Sequence, residues 1–130
     1  MTYMYHIQIK RIYAAYAPAD GYRVLVDRLW PRGIRKTEAN LDTWARNISP
    51  STELRKSFAH QPERFAAFQK AYTDELDENP EALEFARACK EILISRDITF
   101  LYAAKDEARD NAVVLREWIR KQIEQPDSQA

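Results

Sequence analysis

Three short stretches of the chain concentrate side chains that could do chemistry: Asp27-Arg28 with Arg32 close behind, Arg55 with His60, and Lys105-Asp106. Guanidinium and ammonium groups recognise phosphate and carboxylate. Arg28, Arg32, Arg55 and Lys105 are therefore candidate binders of a small anionic or phosphate-bearing ligand. A histidine exchanges protons near neutral pH, and with Asp27 or Asp106 to orient it His60 could do general acid-base work. Asp27, His60 and Asp106 form the candidate catalytic set. The competing reading of Asp27 is a structural salt bridge to Arg28 or Lys105. For His60 it is a helix cap or packing on Phe58.

Other chemistries lack their parts. The chain has no Walker loop, no G-x-G-x-x-G, no G-x-S-x-G and no H-E-x-x-H. One cysteine and two distant histidines make no zinc site, so neither a metal nor a cofactor is expected. Cys89 falls on an apolar helical stripe and reads as a core thiol, because a nucleophilic cysteine needs exposure and a nearby positive charge. His6, on the polar side of the first strand, has less claim to a role than His60.

Several elements must converge to position these groups. Residues 3–13 alternate, with Tyr3, Tyr5, Ile7 and Ile9 on one side and Met4, His6, Gln8 and Lys10 on the other, which predicts a half-buried strand. A second strand runs from Tyr22 to about Asp27. Its continuous Val24-Leu25-Val26 is the pattern of a central strand covered by helices on both faces. The only two glycines, Gly21 and Gly33, bracket it, where the backbone has to turn. A third strand is expected over residues 98–104, ITFLYAA.

Leu41, Trp44, Ala45 and Ile48 have helical spacing, which predicts a helix over 39–48. Ser49-Pro50-Ser51 caps a short helix ending at Phe58, and Phe65, Phe68, Tyr72 and Leu76 stripe a helix from about Pro62 to Asp77. Asn79-Pro80 opens a long helix buried through Ala82, Phe85, Ala86, Cys89, Ile92 and Leu93. A last helix spans about Asn111 to Gln122. The expected fold is α/β, a small mostly parallel sheet of about three strands with four to five helices. If the second and third strands are parallel, Asp27-Arg28 and Lys105-Asp106 both emerge at carboxyl ends of strands, where open α/β sheets bind ligands. The N-terminus of the last helix adds a dipole that favours an anion there.

Composition sets the outer limits. At 130 residues, with 45% hydrophobic and 12% aromatic residues, the chain suits a single domain over residues 1–124, with a flexible tail over 125–130. Twenty basic residues balance twenty acidic ones, so long-range attraction to nucleic acid or anionic membranes is missing and any anion site must be local. A single cysteine and no secretory leader point to the cytoplasm, and no apolar run approaches the roughly 20 residues that span a bilayer. No oligomeric state can be read from these features.

The stretches DGYRVLVDRLWPRG, PSTELRKSFAHQPERF and FLYAAKD leading into NAVVL resemble the three blocks of the YeaO-like family of bacterial and archaeal domains of unknown function. The resemblance covers most of the chain. Family blocks match at Asp27, Arg28, Trp30, Pro31, Arg32 and Gly33, then at Trp44, Pro50, Ser51, Leu54 and Arg55. They match again at His60, Pro62, Lys105, Asp106 and Asn111, so the resemblance adds Trp30 and Asn111 to the ligand-binding candidates. It brings no catalytic assignment. Ser57 and Phe65 stand where family members often carry tryptophan, which implies looser packing. Asp110 stands for a frequent asparagine, placing a negative charge beside the expected anion pocket that would weaken it or change its ligand.

Two functions compete on these observations. One is an enzyme or binding domain for a small anionic ligand at the carboxyl ends of the strands. The other is a non-catalytic module that binds nucleic acid or a partner protein through the Trp30-Pro31-Arg32 loop, and the neutral net charge argues against nucleic acid.

Overall fold

The computed structural model describes residues 5–124. Four parallel strands form one sheet: β1 (Ile7–Arg11), β2 (Tyr22–Leu25), β3 (Thr43–Trp44) and β4 (Ile98–Tyr102), in the order β1-β4-β2-β3. Five helices accompany it: α1 (Lys36–Ala39), α2 (Thr52–Phe58), α3 (Phe65–Asp77), α4 (Pro80–Ile92) and α5 (Asn111–Glu124). The α/β class and parallel sheet are as the patterning predicts, with one strand more. Tyr3 and Met4 of the expected first strand and the tail over 125–130 lie outside the described residues.

The extra strand corrects the helix expected over 39–48. Asn40, at φ 51°, closes α1 in the left-handed region, and the chain then runs alongside β2. Asp42 N–H donates to the Arg23 carbonyl and Ala45 N–H to that of Leu25, so the residues with helical spacing satisfy the open edge of β2 instead. Helical periodicity over so few residues is outweighed by unpaired ladder groups on a neighbouring strand.

The sheet has two unlike faces. Val24, Val26, Ile98, Phe100 and Tyr102 join one core with α3, α4 and α5, where Phe68, Tyr72, Leu76, Ala86, Leu115 and Ile119 meet them. On the other face lie Arg23, Leu25, Thr99 and Leu101, all buried. Long helices were expected there as well. Instead the cover is short chain segments around Ile12, Asp20 and Ala39, fastened by polar groups. The Arg23 guanidinium pairs with Asp20 and donates to the carbonyls of Asn40 and Ala39 at 3.0 Å each, and Thr99 Oγ1 donates to the Asp20 carbonyl at 2.7 Å. Burial opposes the charge of Asp20, but Lys10, the Ala17 amide and Arg23 outweigh it and hold the carboxyl below its ordinary range.

The helix starts follow their caps. Ser51 Oγ accepts from Leu54 N–H at 3.1 Å, and Asn79 Oδ1 accepts from Glu81 N–H at 3.0 Å. Both glycines have positive φ, 67° at Gly21 and 82° at Gly33. A Cβ on Gly21 would also fall 2.2 Å from the Asp97 carbonyl oxygen, whereas one on Gly33 would meet nothing within 4 Å.

Candidate functional site

At the carboxyl ends of β2 and β4 the chain forms an open cavity of about 1050 Å³, at the upper end of ordinary ligand pockets. Parallel strands make this convergence inevitable: Asp27 follows β2, Lys105 follows β4, and α5 begins between them. All nine residues singled out from the sequence line this one cavity. Their roles within it differ.

Asp27 ties the floor together. Its Oδ2 accepts from Ala103 N–H at 2.9 Å and its Oδ1 from the Asn111 amide at 3.1 Å, while its carbonyl accepts the Trp44 indole N–H at 2.7 Å. Burial pushes the carboxyl above its ordinary range, against the opposing effect of the Asn111 and Ala103 donors and of Arg55 and His60. No ion pair to Arg28 or Lys105 forms. Asn111 also donates to the Val26 carbonyl at 2.8 Å, which fastens the first turn of α5 to the end of β2.

Arg28 is committed to the backbone, donating from Nε to the Pro50 carbonyl at 2.9 Å and from Nη2 to that of Ser49 at 2.8 Å. It holds the turn before α2 rather than facing a ligand with its full fork. Asp106 is committed as well. Its Oδ1 accepts from the amides of Ala108 and Arg109 at 3.0 Å each, which first of all lowers its pKa, and Arg109 lies 3.5 Å from Oδ2.

Trp30 donates its indole N–H to the Ile34 carbonyl at 2.7 Å and meets Trp44 edge-on, with centroids 5.3 Å apart at 72°. Tyr13 Oη donates to the Arg32 carbonyl at 2.9 Å, pinning the loop, and Arg32 itself is exposed. His60 follows α2 with φ 55°, after Ala59 at 49°, and its exposed ring lies 5.9 Å from Phe58 at a tilt. Packing on Phe58 is thus present, and no hydrogen bond joins His60 to Asp27 or Asp106. Arg32, Arg55 and Lys105 make no side-chain hydrogen bond or ion pair among the described residues.

The lining holds six cationic side chains against three acidic ones, in a chain of zero net charge. Apolar walls come from Trp30, Pro31, Phe58 and Phe68. Phe58 and Phe68, stacked at 4.5 Å, were legible from the sequence only as core residues.

Asp110 was read from the sequence only as an unfavourable charge, and it proves central. Its Oδ1 caps α5, accepting from Ala112 N–H at 2.8 Å and Val113 N–H at 3.2 Å. Its Oδ2 is buried without any hydrogen-bond partner. Burial raises its pKa to about 7, against the two amides and with help from Asp27 and Asp106. The charge expected beside the pocket is therefore not permanent. Its position one residue before a helix start was the available signal.

Fold and site together define a small α/β domain with a cation-rich cavity at the carboxyl edge of a parallel sheet. Residues 6–130 match the family model described as the inactive DUF488-N3 subclade, and the chain belongs to this YeaO-like family of unknown function. It is 43% identical over 115 residues to the uncharacterized protein YeaO of Escherichia coli K12, covering 88% of this chain and 97% of that protein. It is 39% identical over 110 residues to the uncharacterized proteins Mb3100c of Mycobacterium bovis and Rv3073c of Mycobacterium tuberculosis, covering 84% of this chain and 89% of each. No solved structure matches.

Proposed function

We propose that this domain binds a small organic anion, phosphate-bearing or carboxylate, in the cavity at the carboxyl ends of β2 and β4. The observation that carries this reading is that Arg32, Arg55 and Lys105 line one cavity and make no side-chain hydrogen bond or ion pair among the described residues. Cations gathered at a low-dielectric concavity attract each other's counterions strongly, and a bound anion supplies the missing partner. Trp30, Phe58 and Phe68 give the apolar body of such a ligand a surface to cover.

Binding without turnover is the form of the proposal. Asp27 and Asp106 spend their oxygens on backbone and amide donors, and His60 has no carboxylate to orient it. The description of the family as an inactive subclade supports the same choice. The test is a thermal-shift and calorimetric screen of organic phosphates and carboxylates against the wild type, Arg55→Ala and Lys105→Ala. A ligand that stabilises the wild type, and each variant less, supports the proposal. If every compound that binds does so equally well to both variants, the cavity is not the anion site.

A further inference from the structure

We propose that anion binding in this cavity is coupled to uptake of one proton by Asp110, so that the site takes its ligand as an anion plus a proton. The inference rests on the binding reading above and names the residue that sets the charge the cavity accepts.

Geometry makes the case. Asp110 lines the cavity and is 1% exposed. One carboxyl oxygen is consumed by the first amides of α5, and the other has no donor. An ionised carboxylate with a buried, unpaired oxygen is costly, whereas the neutral acid leaves only a hydroxyl there. An anion entering the same cavity adds a further negative charge in low dielectric and tilts the balance again toward the neutral acid. The coupling is electrostatic and needs no contact between ligand and Oδ2.

The acidic and phenolic groups facing Asp110 act in the same direction. Asp27 after β2 and Asp106 after β4 are both acidic, and Tyr102 of β4 has its own pKa raised to about 12, by burial first and by Asp110 next. Arg116, in the second turn of α5, is a charge of opposite sign, and its pKa falls through burial although Asp110 works against that. The rise of the Asp110 pKa to about 7 places the proton exchange in an accessible range.

By linkage, affinity is greatest below the pKa of free Asp110 and falls as pH rises through it. The experiment is a fluorescence titration of the full chain with 8-anilinonaphthalene-1-sulfonate, an aromatic anion whose sulfonate stays ionised, at pH 6 and pH 8.5. The wild-type Kd should rise roughly tenfold between the two. Asp110→Asn keeps the capping oxygen and Asp110→Ser substitutes a hydroxyl cap. Both should bind at pH 8.5 about as tightly as at pH 6. His60→Gln removes the histidine on the wall and should keep the wild-type dependence. Arg55→Ala should bind more weakly at both pH values.

A pH dependence that persists in both Asp110 variants, or vanishes in His60→Gln, overturns the proton coupling. Binding that weakens in Arg55→Ala but ignores pH in the wild type overturns it too and leaves the anion-binding reading standing. No binding to the wild type at either pH overturns both.

Discussion

Replacing Asp110 by asparagine should stabilise the folded chain at pH 8 and lose that advantage at pH 4. The folded-state pKa of about 7 lies above the ordinary value of 3.8. In the window between them the folded state holds a proton that the unfolded state has released, so stability falls as pH rises through it. At about 1.4 kcal/mol per pH unit, the full loss is about 4 kcal/mol once the pH exceeds 7. Asparagine keeps the oxygen that caps Ala112 and Val113 but puts an amide where Oδ2 has no partner, which costs about 1–3 kcal/mol at all pH values. The net expectation is a variant about 1–3 kcal/mol more stable than wild type at pH 8, and less stable than wild type near pH 4. Urea unfolding followed by tryptophan fluorescence at both pH values reads this difference, and charge effects common to both chains cancel. A stability difference that does not change with pH refutes the argument, because the carboxyl would then titrate alike folded and unfolded.

Other substitutions separate the forces at work. Gly21→Ala faces both a positive φ and the Asp97 carbonyl at 2.2 Å, whereas Gly33→Ala faces the positive φ alone. Gly33→Ala should cost about 1 kcal/mol in urea unfolding and Gly21→Ala clearly more; equal costs would show that the Asp97 contact is easily relieved. Arg28→Lys should lose about 1–3 kcal/mol, nearly as much as Arg28→Ala, because one ammonium cannot reproduce the two bonds to Ser49 and Pro50. Full rescue by lysine would mean that charge alone matters there. Cys89 is buried, and burial raises its pKa to about 12, so a disulfide reagent at pH 8 should label the thiol only after denaturant is added. Rapid labelling of the native chain would place Cys89 outside the core.

Local patterning carried most of the architecture. Alternation in β1, the apolar triplet of β2, the β-prone run of β4 and the serine and asparagine caps are decided within a few residues, since they depend on side-chain period and short-range hydrogen bonds. Even the gathering of the site was legible, because two parallel strands ending in Asp27-Arg28 and Lys105-Asp106 leave those residues only one edge to share. What depended on distant neighbours escaped that logic. Leu41 to Ile48 reads as a helix until the open edge of β2 claims its backbone at Thr43 and Trp44. Arg28 and Arg55 look equivalent as letters, yet one meets the carbonyls of the 49–50 turn while the other meets no acceptor. Asp110 is an ordinary helix cap in the sequence. Its second oxygen becomes consequential only when the cavity wall closes over it and supplies no donor, because the energy of a buried charge is set by everything packed around it.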